Sequence, residues 1–222
     1  MAASEMALVH NCIIRAFNGI YNQAPYVQPS DYKSFVAYCY SAYTGLEAHH
    51  TGEETHFFPD IEKATGKKGI MAANVQQHEA FHDGLEAWGA YMKDLHENDP
   101  SKFSGTKCVA LMDEFTVPLA QHLADEIPTL LSLSAYGDKL DLVAMMKKEG
   151  ETVMASMSKT EQLPLFLLNH DVTYEGGIHN FPPIPAPVKW ALMNVFTRWN
   201  PSWWKWATCG YDGRPRGLYT GA

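Results

Sequence analysis

The sequence predicts an all-α protein, an antiparallel up-down four-helix bundle followed by a Pro/Trp-rich, partly helical extension. Apolar residues recur at a spacing near 3.5 in four segments, which is typical of helices that bury one face. Short connections separate these segments, so neighbouring helices are expected to be antiparallel. Composition changes near residue 135, since 8 of the 10 histidines precede it and 5 of the 6 tryptophans follow it. We therefore divide the chain into a bundle at 1–135 and an extension at 136–222.

Proline and glycine residues mark the ends of the predicted helices. The four bundle helices are expected at about 4–21, 30–59, 70–98 and 104–133, and two further helices at about 138–157 and 188–199. Ser30 is a suitable cap for the second helix. Pro118 and Pro128 are expected to bend the fourth helix, because proline removes a backbone donor and clashes with the preceding turn.

Composition excludes several functional classes. The chain has 222 residues, enough for a core without disulfide bonds, and a net charge of −8 with no basic run. The charge argues against nucleic acid or an anionic membrane as a partner. No apolar run reaches the ~18 residues of a membrane span, and the N-terminus lacks a secretion signal. The four cysteines form no C-x-x-C pair, so we expect a reducing, cytoplasmic location.

Histidine and glutamate side chains interrupt the apolar stripes on all four bundle helices. The inward positions are His10, His50, Glu54, His78, His82, His122 and Glu126. Burying such groups without partners costs several kcal/mol each, and they cannot all pair with one another. A chance polar core is the alternative. A cluster of bound cations would satisfy every group at once, and bundle cores are where facing helices build such sites.

The spacing of these residues indicates two metal ions. Three pairs are spaced i, i+4 and so lie one above the other on their helices, namely His50 with Glu54, His78 with His82, and His122 with Glu126. The first helix adds His10. Seven ligands are too many for one tetrahedral zinc ion, but they suit two six-coordinate ions that share carboxylates and keep a position open. Nitrogen and oxygen ligands without thiolate favour iron, with manganese next and zinc or copper less favoured.

In order and spacing, these residues resemble the hemerythrin-like (HHE cation-binding) domain family over about residues 5–135, and the extension resembles those of fungal members. The resemblance rests on the seven positions together with Phe57-Phe58-Pro59 and Ile127-Pro128. It implies a di-iron centre bridged by an oxo or hydroxo group, with dioxygen as the ligand. The implied iron ligands are His78, His82 and His122 for one ion, His10 and His50 for the other, and Glu54 and Glu126 as bridges.

One feature departs from the marine oxygen carriers of this family. Their last pair is spaced His-x4-Asp, whereas this chain has His122-x3-Glu126. Reversible oxygen carriage therefore does not follow from the resemblance.

Other residues near the predicted ligands receive weaker roles. Tyr43 lies on the inner stripe two turns before His50, where it is either core or a donor to a bound oxygen species. The helical phase places His49 off the inner stripe, and Glu53, as the neighbour of Glu54, is expected to have a supporting or surface role.

Three functions fit the predicted centre. The leading hypothesis is a non-haem di-iron protein that binds dioxygen or a related diatomic molecule. The second is a dioxygen-dependent oxygenase or oxidase that acts on a small organic substrate, which the long aromatic extension favours. The third is an iron-binding or sensing protein.

Overall fold

The computed structural model describes residues 1–220, and its regular structure is helical throughout. Its α-helices are α1 (Ala2–Gln23), α2 (Tyr32–Gly52), α3 (Phe58–Thr65), α4 (Ala72–Glu97), α5 (Gly105–Asp113), α6 (Thr116–Ser132), α7 (Leu142–Ser156), α8 (Gln162–Leu167) and α9 (Ala186–Asn194). The helices α1, α2, α4 and α6 contact one another in a closed ring, with α1 against α2 and α6 and with α4 against the same two. This ring is the predicted four-helix bundle.

The bundle encloses two apolar clusters with a polar layer between them. On α1 the larger cluster begins at Ile13 and the smaller one ends at Met6. On α4 the larger cluster begins at Phe81, and Met71, just before the helix, belongs to the smaller one. Histidines occupy the turns between the two clusters on each of these helices. The alternating 3- and 4-residue spacing of the buried apolar residues therefore continues through the polar layer.

The second predicted helix continues beyond its expected end near Pro59. A π-helical turn at Glu53–Phe57 joins α2 to α3, and the helix ends at Gly66, whose φ of 68° lies in the left-handed region. Pro59 is tolerated because it falls in the first turn of α3. Single π turns inside α-helices are often found at functional sites.

The fourth predicted helix is interrupted in the turn that precedes Pro118. The chain leaves helical geometry at Phe115, between α5 and α6. Pro118 falls in the first turn of α6, where its missing N–H costs little, and Pro128 lies inside α6 without ending it. The interruption is the local change expected at Pro118, because its ring clashes with the Glu114 carbonyl four residues earlier, whereas Pro128 does not interrupt its helix.

The extension contributes to the core of the bundle. Trp204, Trp206 and Leu165 are buried in the larger apolar cluster. The Trp206 ring lies 4.9 Å from the Phe35 ring, and its Nε1 donates a hydrogen bond to Ser34 Oγ at 3.1 Å. Burial of two tryptophans accounts for much of the attachment of this segment, since each removes a large apolar surface from water.

Two further expectations can be compared with the described residues. All four cysteines are free and buried. None of the helices within residues 1–220 combines the length and the apolar character that a membrane crossing requires.

Candidate metal centre

The polar layer of the bundle contains five histidines and two glutamates, each less than a tenth exposed. They are His10, His49, His50, Glu53, His78, His122 and Glu126. All four walls of the bundle contribute, with α6 supplying two residues and α2 with its π turn supplying three. The predicted set also has five histidines and two glutamates, but the structure has His49 and Glu53 in place of His82 and Glu54.

The glutamate of the π turn reaches two groups of histidines. One possible metal-binding group comprises His50, His78, His122 and Glu53, and the other comprises His10, His49 and Glu53. Within each group the ligand atoms lie within 4.8 Å of one another. Glu53 Oε1 is 3.3 Å from His49 Nε2, and Glu53 Oε2 is 3.6 Å from His78 Nε2.

Glu126 connects the same two groups from the opposite wall. Its Oε2 lies 3.2 Å from His10 Nε2 and 4.0 Å from His122 Nε2. Two buried carboxylates that each approach histidines of both groups have the arrangement expected of bridges between two cations.

Outer hydrogen bonds aim three imidazoles inward. These bonds run from His10 Nδ1 to the Leu123 carbonyl at 2.7 Å, from His78 Nδ1 to Glu54 Oε1 at 2.6 Å, and from His122 Nδ1 to Gln77 Oε1 at 3.4 Å. Because a carbonyl or carboxylate oxygen only accepts, each Nδ1 donates and each Nε2 keeps a lone pair. Ligand histidines in metal sites are held in this way.

The inward nitrogens of two of these histidines face each other. His78 Nε2 and His122 Nε2 are 2.9 Å apart. Two lone pairs at this distance repel unless a cation lies between or beside them. The spacing is compatible with two ligands of one cation, because metal–imidazole bonds are ~2.0–2.1 Å long.

Unsatisfied buried atoms test whether this layer fits a metal. Within residues 1–220, seven of the buried side-chain nitrogens and oxygens that lack a hydrogen-bond partner belong to it. They are Nε2 of His10, His49 and His50 and both carboxylate oxygens of Glu53 and Glu126. Each such atom costs about 1–3 kcal/mol if it stays unsatisfied, and bound cations would satisfy them. The donor set, all nitrogen and oxygen, fits iron or manganese.

Burial sets the protonation of the layer. Burial, together with the neighbouring imidazoles, lowers the pKa of His49 and His50 well below the usual value and that of His122 to about 2. These rings are therefore neutral at pH 7, the form that ligates metals. Burial, and then the adjacent Glu126 carboxylate, raises the pKa of Glu53 well above its usual value. A cation would relieve this repulsion between carboxylates.

His82 is one of two predicted ligands that the structure does not bring to the cluster. Its side chain is 63% exposed, and its Nδ1 lies 3.2 Å from Asp83 Oδ1. The inner face of α4 runs from His78 to Phe81 and then Leu85, so the helix advances by three residues where four were predicted. Phe81 occupies the inner position because an apolar ring gains more free energy from burial than an imidazole does.

Glu54 is the other predicted ligand outside the layer. Its side chain is 44% exposed and it contacts the layer only from outside, through the hydrogen bond to His78. The pair that enters the layer is His49 with Glu53, one residue earlier and with the same spacing. The doubled motif H49-x3-E53 and H50-x3-E54 contained this alternative, but the sequence did not identify which register faces inward.

Tyr43 is directed away from the layer. Its hydroxyl donates a hydrogen bond to Glu86 Oε1 at 2.6 Å, and its ring packs where a Cβ on Gly89 would lie. The structure therefore gives this residue a role in packing α2 against α4.

Comparisons with known proteins are consistent with this geometry. A relative from Cryptosporiopsis sp. (strain 8999), named dimeric xanthone biosynthesis cluster protein R11, is 36% identical over 217 residues, which cover 97% of this chain and 81% of the relative. No solved structure matches the chain. The family model described as Hemerythrin HHE cation binding domain matches residues 1–133. The chain therefore belongs to the hemerythrin HHE cation-binding domain family.

Proposed function

We propose that this protein is a non-haem di-iron protein that binds dioxygen or a related diatomic molecule. The observation that carries the proposal is the pair of buried carboxylates, Glu53 and Glu126, each of which approaches histidines of both groups. One carboxylate beside one histidine group would suit a single ion. Two carboxylates that span both groups favour two ions that share them.

The proposed ligand sets follow from the two groups. One iron would be held by His50, His78 and His122, and the other by His10 and His49, with Glu53 and Glu126 shared. Bound iron would supply the electrons and the coordination positions that a diatomic ligand requires, and manganese is the less favoured substitute. The group with two histidines leaves more positions free of protein ligands.

Aromatic side chains would exclude water from this centre. The Phe81 ring lies 5.0 Å from the His50 ring and 5.6 Å from the His122 ring, and Phe58 lies 5.8 Å from His78. These rings restrict the positions of the imidazoles as well as the access of solvent. A dry site strengthens electrostatic interactions and limits side reactions.

A second candidate function is an oxygenase or oxidase that acts on a small organic substrate. A groove of about 190 Å³ runs between α1 and α6 and has apolar walls at Ile13, Phe17, Leu119 and Leu123. One of these residues, Leu123, also accepts a hydrogen bond from His10, a proposed iron ligand, through its backbone carbonyl. The relative's name places that protein in a biosynthesis cluster, which supports chemistry on a small molecule. An iron-binding or sensing protein is the third candidate.

The buried free cysteines bear on the compartment. Four buried thiols that form no disulfide bond suit a reducing environment, and we include a cytoplasmic location in the proposal.

One experiment separates these functions. Purified protein is analysed for metal, reduced without air, and exposed to dioxygen while absorption and oxygen consumption are recorded. Two irons per chain with a spectral change that reverses under vacuum support the dioxygen-binding function. Oxygen consumption that requires an added organic compound supports the enzyme. Two irons without any oxygen reaction support iron sensing, and one metal ion or none per chain refutes the di-iron proposal.

A further inference from the structure

A second buried polar site lies outside the metal centre, at the junction of α1 with the extension. It is a partly enclosed cavity of about 70 Å³. One wall comes from α1, including Asn11 and Arg15, and the other comes from residues 169–174. The junction therefore contains a chamber with polar walls where continuous packing would be expected.

His170 faces this cavity and is 5% exposed. Its ring packs against the Phe181 ring at 5.0 Å, and within residues 1–220 its side chain has no hydrogen-bond partner. Burial, with the nearby Lys189 charge, lowers the pKa of His170 to about 4. At pH 7 the ring is neutral and offers one N–H donor to the cavity.

Arg15 supplies the charge of the cavity. One guanidinium N–H group donates to Asp171 Oδ2 at 2.9 Å, and this is the sole hydrogen bond of the Arg15 side chain within the described part of the chain. The other oxygen of Asp171 already accepts from the backbone N–H and the hydroxyl of Thr173. The remaining guanidinium donors are free for another acceptor.

The donors of the cavity outnumber its free acceptors. On the extension wall, Asn169 is satisfied by Thr208, Leu165 and Tyr38, and the Tyr174 hydroxyl can donate or accept one hydrogen bond. The free donors belong to Arg15, His170 and the Asn11 NH2 group, and they exceed the neutral acceptors, which are Asn11 Oδ1 and the Tyr174 hydroxyl. A guanidinium matches the planar geometry of carboxylate and phosphate oxygens.

We propose that this cavity binds a small oxyanion, either a carboxylate or inorganic phosphate, through Arg15 and His170. Its volume of about 70 Å³ suits one small oxyanion or a few water molecules. The ligand joins α1, which carries His10, to the extension. Its binding stabilises the docked position of the extension because only the folded junction assembles the site.

The test uses the full-length, metal-loaded protein at pH 7 and constant ionic strength. Acetate, phosphate and chloride are titrated separately while thermal unfolding and the NMR signals of the His170 ring are recorded. We expect acetate or phosphate, but not chloride, to raise the unfolding midpoint in a saturable way and to shift the His170 signals. The anion that saturates the response at the lower concentration, acetate or phosphate, identifies whether the cavity prefers a carboxylate or inorganic phosphate.

The variant Arg15→Met keeps most of the packing of the side chain and removes its charge. We expect the half-saturation concentration to rise about tenfold or more, because a charge-assisted hydrogen bond is lost. The matched control is Lys205→Met, which removes a cation that pairs with Asp31 at another contact between the extension and the bundle. We expect it to lower the midpoint but to leave the oxyanion response unchanged.

Three results would overturn the proposal. They are an equal midpoint in all three salts, unshifted His170 signals at saturation, and an unchanged half-saturation concentration in Arg15→Met. The last result would place the anion elsewhere, including at the metal centre. If Arg15→Met fails to fold, His170→Gln leaves the Arg15–Asp171 pair intact and must weaken the response several-fold. Failure of this proposal leaves the proposed iron function unaffected, because the two sites share no residue.

Discussion

Replacing Glu53 by glutamine should have opposite effects on stability with and without metal. In the metal-loaded protein the substitution removes a carboxylate that approaches both histidine groups. Metal content should fall below two ions per chain, and the protein should lose the stability that metal binding contributes. In the metal-free protein the same substitution removes a buried carboxylate that has no hydrogen-bond partner, and stability should rise.

The size of the metal-free effect follows from the buried, unpaired carboxyl oxygens of Glu53. Burial and the adjacent Glu126 carboxylate raise the pKa of this group, because its charged form is destabilised in the folded protein. A buried polar atom without a partner costs about 1–3 kcal/mol. Glutamine carries no charge and avoids the electrostatic part of this cost. In a chain of this length a gain of about 1–3 kcal/mol corresponds to a rise in melting temperature of about 2–12 °C.

The assay combines metal analysis with thermal unfolding in the presence and absence of a chelator. The matched control is Glu54→Gln, which is adjacent but outside the layer. It should retain both metal ions and weaken their affinity about 10- to 100-fold, because it removes only the hydrogen bond to His78. The reasoning is refuted if Glu53→Gln retains two ions while Glu54→Gln loses them, or if Glu53→Gln destabilises the metal-free protein.

Four other substitutions or conditions test the structure further. His82→Ala should retain full metal content in elemental analysis, since the side chain lies outside the layer, and loss of a metal ion would return His82 to the ligand set. In chelated protein, urea unfolding should show stability falling as pH drops below 6.5, because four buried imidazoles with lowered pKa stay neutral while their unfolded counterparts gain protons. The raised pKa of Glu53 opposes this change, as do the less strongly raised pKa values of Glu5, Glu47 and Glu149, while His170 adds a fifth imidazole with a lowered pKa. A stability that rises toward pH 5.5 would contradict the assignment. Gly52→Ala should destabilise by about 1–3 kcal/mol in the same assay, since its Cβ would overlap Glu149 and Val153 of α7, and a neutral effect would show that α7 docks elsewhere. Trp206→Ala should cost about 3–5 kcal/mol, whereas an unchanged melting temperature would mean that the extension is dispensable for folding.

The sequence predicts the bundle well because every helix repeats an apolar pattern whose period is close to that of the α-helix. The metal-binding character of the site is predictable for the same reason, since histidine and glutamate side chains on an apolar stripe need a binding partner inside the bundle. The exact set of inward residues is not predictable. The inner face of a helix advances by either three or four residues, and Phe81 rather than His82 follows His78 because the face advances by three there.

The exchange of Glu54 for Glu53 has a similar origin. The π turn changes the angular step along the helix within the motif itself, and local sequence does not reveal such a turn. The same limit applies to the extension. Trp206 reaches Phe35 across 171 residues of chain, a contact that periodicity does not encode.

The position of the histidine layer has a consequence for the life of the protein in a cell. The layer separates the two apolar clusters, so a newly made chain without metal has carboxyl groups that repel one another in the middle of its bundle. Cations bound in this layer would link the helices of the bundle between the two apolar clusters. Supply of the cation would then decide which copies survive proteolysis, and the abundance of the protein would follow the availability of that cation without a dedicated regulator.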